Sequence, residues 1–481
     1  MQLKKMDTTL RLQLALASCA LIATPSAFSA TSLYDETSAN KPLQVDSGVL
    51  FYQESGGRVQ VIEPVVDVKK DFGDDRSLTT KLIFDTLSGG SPNGAIPSKS
   101  VQTFATPSGS SLQPSAGSPS NTGTTKENER SVVALKALTY TTASGQVIST
   151  PNASTTGGGE TSERAHGGPY TVQPGQLPLD PSFQDERVAV STSWQQPISA
   201  ADKLSVGGAF STETDFRSLS INSGLSHDFN HKNTTLSAGI NLEHDSILPV
   251  GGAPVPLSDY TLFQKTSDQS KNVVDGLIGI TQVFNRHWLS ALNYSIDKSS
   301  GYQNDPYKIL SALDRDGNII SYVYENRPDS RQRKSIYWEN KFAFPHDVFD
   351  ISYRYMSDDW GIHSTTVDAR YRLELGRQFF VEPHARIYHQ TGADFFRLYL
   401  TEGDPFVAYA SADPRLAEFD GKTFGVKVGY SPSRTQEFTI RIEQYTQTGN
   451  APAEVPTQLQ GLDLFPGLKA LIVQAGFRFE F

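Results

Sequence analysis

The chain of 481 residues has one cysteine, Cys19, and three methionines. A single cysteine excludes any internal disulfide, so an exported chain of this size needs another source of cohesion. Beyond the N-terminal segment no apolar run is long enough to be a membrane-spanning helix. There is no basic surplus either: 42 Lys and Arg stand against 52 Asp and Glu, a net charge of −10. Without a basic stripe to meet phosphates, nucleic acid is not an expected partner. No Gly-x-Ser-x-Gly occurs, and no His, Cys or carboxylate group has metal-ligand spacing. Neither an enzyme, nor a metal site, nor a cofactor is therefore expected. Convincing amphipathic helices are also missing.

What is present begins with a secretory signal over residues 1–29. Lys4, Lys5 and Arg11 precede the apolar stretch Leu12–Ala23, and small residues at Ala27 and Ser29 mark a cleavage point. An alternative reading takes "LASC" as a lipobox with Cys19 lipidated, against which stands the short apolar core. Residues 30–46 read as a lead-in.

From there on, alternation dominates. In "LIVQAGFRFEF", Leu471, Val473, Ala475, Phe477, Phe479 and Phe481 share one face, while Arg478 and Glu480 share the other. "VFDISYRYM", "VDARYRLEL", "FFVEPHARIYH", "FGVKVGY" and "FTIRIEQ" repeat the pattern, with "SLTTKLIFDTL" and "RVAVSTSW" weaker versions. One such strand fits a soluble sandwich as well as a barrel. The connections decide between them. Short ones at 71–75, 196–202, 285–287, 344–347, 375–377 and 431–435 largely take turns with long ones at 88–182, 244–273, 300–334, 389–418 and 448–467. The sequence thus predicts an all-β, transmembrane, antiparallel up-and-down barrel of about sixteen strands over 47–481. Its short turns would be periplasmic and its long loops extracellular. Only 37% of the residues are hydrophobic; lipid-facing and lumen-facing positions alternate in such a barrel, so that a windowed average hides the lipid face.

In this arrangement the lipid bilayer is the first partner. Trp288, Trp338, Trp360, Tyr430 and Phe481 suit interfacial girdles. The Ser/Thr/Gly/Pro-rich stretch within 88–182 cannot bury enough apolar surface to offset its chain entropy, and reads as an extracellular or pore-entering loop. The charged faces give the candidate pore lining: Asp350, Arg354, Asp368, Arg370, Arg372, Glu374, Glu382, His384, Arg386, Arg441, Glu443, Arg478 and Glu480. They form either a salt-bridged wall or a selectivity lining. His384 lies two residues from Glu382, yet nothing supplies a nucleophile beside it.

Two loop motifs have alternative readings. "SGGSPNGA" lacks the Gly-Lys-Ser/Thr ending of a phosphate loop and reads better as a structured rim built on turn residues. Its named positions, with the preceding aspartate, are Asp85, Ser88, Gly89, Pro92, Asn93 and Gly94. "DRDGNIISYVYE" approaches a calcium loop with Asp314, Asp316, Asn318 and Glu325, but glycine stands early at 317; a hairpin turn is the simpler reading.

"DTLSGGSPNGA" (85–95), "PLDPSFQDERVAVSTSWQQP" (178–197) and "DPYKIL" with "YVYENRPDSRQRKSIYWENKF" (305–342) together resemble the bacterial family catalogued as domain of unknown function 3570. Gly90 and Ser91 depart from its usual SGATPNGA. The resemblance covers nearly the whole mature chain and implies a bacterial outer-membrane barrel without an assigned reaction. It further implies a terminal aromatic strand, ending at Phe481, read by the outer-membrane assembly machinery. A periplasmic redox partner is implied by the thioredoxin-like and flavin-transferring proteins encoded beside such members. The functional expectation is a pore for a small polar solute, the alternatives being a closed interaction platform and an outer-membrane barrel enzyme.

Overall fold

The computed structural model describes residues 43–106, 139–141, 147–149, 167–262, 265–449 and 454–481. The expected signal segment, and the lipobox alternative at Cys19, lie outside these residues, as does most of the Ser/Thr/Gly/Pro-rich stretch. Sixteen strands close into one antiparallel barrel. In order they are β1 (Leu43–Glu54), β2 (Gln60–Gly73), β3 (Arg76–Pro92), β4 (Leu179–Pro197), β5 (Asp202–Thr212), β6 (Phe216–Phe229), β7 (Thr234–Ile247) and β8 (Gln269–Asn285). The circuit continues with β9 (Trp288–Gly301), β10 (Ser330–Ala343), β11 (Asp347–Asp358), β12 (His363–Leu375), β13 (Phe379–Gln390), β14 (Phe419–Ser433), β15 (Gln436–Gly449) and β16 (Leu468–Glu480). Each strand pairs with its chain neighbours, and β1 pairs with β16 from Gln44↔Glu480 to Glu54↔Ala470. The first strand starts at Leu43, so residues 43–46 belong to the wall and not to a lead-in.

The connections sort by end. At one rim the links are 74–75, 198–201, 230–233, 286–287, 344–346, 376–378 and 434–435, all tight. One of the three two-residue links, Asp74-Asp75, puts both residues at positive φ (49° and 64°), the conformation such a hairpin favours and aspartate tolerates. The other rim carries 93–178, 248–268, 302–329, 391–418 and 450–467, interspersed with the brief 55–59, 213–215 and 359–362.

Register assigns the two faces. Val49, Ile221, Ile278, Val426 and Ile440 belong to the outward set, with Ile221 and Ile278 each 60% exposed. In a water-soluble sandwich such residues would be covered by a second sheet. Here they form a continuous apolar exterior, far larger than an isolated patch. At the tight-turn rim it ends in a belt of aromatic rings. Phe284 stacks on Trp288, Trp288 on Phe342, Phe342 on Phe349, and Phe349 packs on Tyr371. Farther round, Phe379 stacks on Tyr430 and Phe438 packs on Phe477. Phe479 and Phe481 meet edge to face, and Phe72 packs on Trp194 at a tilt. The expected girdle residues Trp288, Tyr430 and Phe481 sit in this belt. Trp338 is exposed on the outer wall nearer mid-strand. Trp360 does not belong: it is 4% exposed, packs on Phe395 and lies under Arg331. A sharp link at 359–362 turns it inward, a direction that alternation could not give.

No helix among the described residues is long and apolar enough to cross a membrane. A charge placed on the outer face tests whether hydrocarbon lies there. Ile442→Arg, at mid-strand on β15, is expected to lower the unfolding free energy in lipid vesicles by about 2–4 kcal/mol. Urea titration followed by tryptophan fluorescence reads this out, and a change near zero would mean that the face is wet.

Candidate functional site

The expected lining residues all fall on the inner face. Across β11 to β16, Asp350, Arg354, Asp368, Arg370, Arg372, Glu374, Glu382, His384, Arg386, Arg441, Glu443, Arg478 and Glu480 occupy the positions opposite the exposed apolar set. Most are already engaged with one another. His384 is the centre: its Nδ1 is 2.8 Å from Glu443 Oε1 and its Nε2 is 2.9 Å from Asp368 Oδ2. A ring with a carboxylate at each nitrogen suits the doubly protonated form. Arg441 bridges Glu443 and Glu382, each at 3.1 Å, and Lys427 reaches Glu382 at 3.4 Å. Arg370 reaches Asp368 at 3.3 Å. Nearer the tight-turn rim, Arg372 pairs with Glu374 at 2.7 Å and lies over the Phe380 ring. Asp350 meets Lys341, and Arg478 meets Asp46 across the closing seam at 2.7 Å.

Across the lumen, β5, β6 and the first half of β7 present a different surface. Ser205, Gly207, Ala209, Ser220, Asn222, Gly224, Ser237 and Gly239 occupy inner positions. A Cβ at Gly207 would stand 2.8 Å from the backbone oxygen of Thr192, so packing against the neighbouring strand favours the absence of a side chain there. This small, uncharged strip gives way on β7 to β9 to a second ionic group, with Glu243, Asp245, Lys271, Asp275 and Asp297 on the inner face and Lys271 bound to Asp245 at 2.9 Å.

The long connections fold together. Strand Ile309–Leu313 pairs with Ile319–Tyr324 and, in parallel, with Tyr399–Thr401. Around this small sheet lie three apolar clusters. Leu310, Val323 and Ala410 form one, and Ala95, Phe104, Ile309 and Tyr324 a second. Ile96, Leu313, Leu459 and Leu464 form the third. These residues come from links after β3, β9, β13 and β15, which leave the wall at widely separated points of its circumference. They can meet only by bridging that end of the barrel, where they make a cap.

Both loop motifs are absorbed by this cap. Asn93 accepts from Ile309 N through its carbonyl at 2.8 Å, and its side chain bonds Ala95 N and Tyr170. Gly94 sits at φ 97° against Ile309 O, where a Cβ would collide. Gly89, at φ 111°, is likewise pressed on Arg58 O. Asp85 takes Arg187 at 2.5 Å, while Ser88 pairs with Gln184 and Pro92 with Leu179 in the ladder. The motif is thus a rim that docks the cap, and the amides of Asn93 and Ala95 are consumed within it. In the second motif Asp314 accepts from Asp316 N, Asn318 N and Asn318 Nδ2, which makes a self-contained hairpin turn.

An ionic node underlies the cap, one that spacing did not reveal. Arg327 binds Glu325 at 2.7 Å and Asp413 at 2.8 Å, all nearly inaccessible. Arg415 joins Asp413 and Asp305, and Lys308 donates to Pro92 O. Ser411 Oγ donates to Glu325 at 2.5 Å. Burial opposes ionisation of Asp413, but the guanidiniums of Arg415 and Arg327 outweigh it and hold the carboxyl well below the usual carboxylate range. Glu325 is pushed up, burial winning over Arg327. Its residues span 110 positions from Asp305 to Arg415, so no local pattern announced it. The buried carboxylates of Asp185, Glu213 and Asp215 also converge within 4.8 Å, from β4 and the 213–215 link. Their wide separation in sequence hid them too.

Asp413→Ala should leave the buried Arg327 and the partly buried Arg415 each short of one carboxylate, and weaken the cap by about 3–5 kcal/mol. Hydrogen exchange over 302–329 is the readout, and unchanged protection there would contradict it. The pH response follows from the signs. A depressed carboxylate contributes stability above its unfolded value and loses it only as pH falls through its own low value. Asp413 therefore remains ionised between pH 7 and 5. Glu325, shifted the other way, adds stability as pH falls through its raised value. Protection of 302–329 at pH 5 is expected to equal or exceed that at pH 7; a clear loss in this interval would overturn the assignment.

A family model described as "Protein of unknown function (DUF3570)" matches residues 11–479. No curated protein matches the chain. Among solved structures, a ferric enterobactin receptor of Pseudomonas aeruginosa is similar at 8% identity and TM-score 0.39, covering 86% of this chain and 55% of that one. A siderophore receptor of Acinetobacter baumannii is similar at 7% and 0.37, covering 85% and 53%. A bacterial polysaccharide outer membrane secretin is similar at 8% and 0.40, covering 92% and 99%. The chain thus spans little more than half the length of the receptors.

Proposed function

The chain belongs to the DUF3570 family of proteins of unknown function, and from its architecture we propose that it is an outer-membrane pore for small polar solutes, closed at its long-loop mouth by the folded cap. The observation that carries this reading is the opposition of faces in a closed sheet. The exterior is apolar from rim to aromatic belt, while the inner wall holds the Asp368–His384–Glu443 and Glu382–Arg441 network. In hydrocarbon a sheet must have no open edge, and the β1–β16 pairing supplies that. A charged inner wall suits a lumen that water and ions reach. On this reading the tight turns face the periplasm, export uses the segment at 1–29, and the chain is not an enzyme.

The cap, with its own apolar core, favours a pore that is shut at rest. A closed platform for a periplasmic partner, redox or other, is the second reading, and the same cap is what favours it. Conductance separates the two. Full-length protein in planar bilayers is expected to show rare, small openings. Replacing residues 304–327 by a short Gly-Ser linker should raise the conductance several-fold, because the central cap strands are gone. A barrel that folds, shown by its heat-modifiable gel mobility, yet passes no ions even in that variant would contradict the pore and leave the platform.

A further inference from the structure

We propose that Arg354 and Arg386 form an oxyanion site in the lumen beneath the cap, for a solute bearing a carboxylate or phosphate group. Such a site presupposes the solute-passing barrel proposed above, but binding to it can be measured without any passage.

The inner-face arginines of β10 to β16 are otherwise paired. Arg331 holds Asp358 and Arg333 holds Asp297. Arg370, Arg372, Arg441 and Arg478 hold the carboxylates described above. Among the described residues only Arg354 and Arg386 of this set have no carboxylate within ion-pair distance. Asp368 stands opposite Arg386 in the ladder, yet its oxygens are taken by His384 at 2.9 Å and Arg370 at 3.3 Å. Arg354 has only the Tyr337 ring, 5.2 Å from its guanidinium carbon.

The two cations are also neighbours. Arg354 pairs with Thr366 and Arg386 with Asp368, so they lie two strands and about one side-chain row apart. Each repels the other. Both lie four residues from the cap end of their strands, which stop at Asp358 and Gln390. Above them is the cap, and below them the His384 network. Tyr388 and Tyr445 flank Arg386, their hydroxyls committed to Gln390 and Gln447. Two like charges whose one nearby carboxylate, Asp368, is already bound by His384 and Arg370 are under-compensated, and an anion shared between them offsets the repulsion. Guanidinium presents a planar fork of donors that matches carboxylate and phosphate oxygens, whereas chloride uses none of that geometry. The wall opposite is small and uncharged on β5 and β6 and acidic on β7 to β9, with Glu243, Asp275 and Asp297, so an anion is directed to the arginine side of the lumen.

The test uses full-length protein in detergent, titrated with inorganic phosphate and with succinate against chloride at equal ionic strength. Calorimetry and thermal unfolding follow the binding. Saturable binding of either oxyanion, absent with chloride, is expected, and which of the two binds identifies the group. Arg354→Gln with Arg386→Gln should weaken it by about tenfold or more. The paired lysine variants, keeping charge but losing the fork, should fall between. Should the double glutamine variant not fold, each single variant is measured instead and should still weaken binding. Equal affinity in the glutamine variants, or no saturable effect beyond chloride, would overturn the site. Conductance without binding would remove the site and leave the pore; binding without conductance would do the reverse.

Discussion

The structure depends on one constraint: every backbone N–H and C=O in the wall must find a partner in a neighbouring strand. In hydrocarbon each unmade hydrogen bond costs several kcal/mol, and water cannot make good the loss. Fifteen pairings between chain neighbours would still leave two open edges. The sixteenth, between β1 and β16, removes both. It is reinforced on the inner face by Arg478 and Asp46, which lie on opposite sides of the seam. Once closure is imposed, alternation assigns each residue to one of two solvents, and the apolar exterior and ionic interior follow.

The interior shows how charges can be held where a folded core would exclude them. The wall network distributes acid and base across adjacent strands, so that His384, Arg441 and Glu382 each have partners from more than one strand. The cap uses a tighter version. Arg327, Asp413 and Glu325 are sealed beneath apolar clusters with Arg415 partly buried beside them, and removing one partner there is far more damaging than the pair is stabilising. Such a node fixes the register of links that come from distant points of the rim. Apolar packing of Leu310, Leu313 and Phe104 supplies the adhesion, and the ionic node supplies the arrangement.

Much of the wall was legible in the chain because strand period is two and a barrel repeats it sixteen times. The strand number, the sorting of turns, and the inner face of residues such as Asp368, Glu443 and Arg478 all came from that period. So did the hairpin at Asp314 and the rim role of Asn93 and Gly94, since turn chemistry is local. The rest depends on contacts between distant segments. Leu459 on Leu313, Arg327 on Asp413, and Asp185 beside Asp215 have no local signature. Trp360 was misplaced for the same reason: as an aromatic near a strand end it looks interfacial, and only the partners Phe395 and Arg331 show that it is buried. The long links, read as loops, hold short strands such as Ile309–Leu313 whose apolar run is fully buried and therefore does not alternate.

The most direct measurement is of which solvent wets the outer wall. Trp338 is half exposed on that wall, its indole N–H on Ser290. A variant keeping it as the sole tryptophan, reconstituted in vesicles of brominated lipid, reports contact with acyl chains through fluorescence quenching. Strong quenching by bromine and little by aqueous acrylamide is the predicted result. Acrylamide quenching with no effect of bromine, or a chain that stays dispersed in water without detergent, would contradict the account.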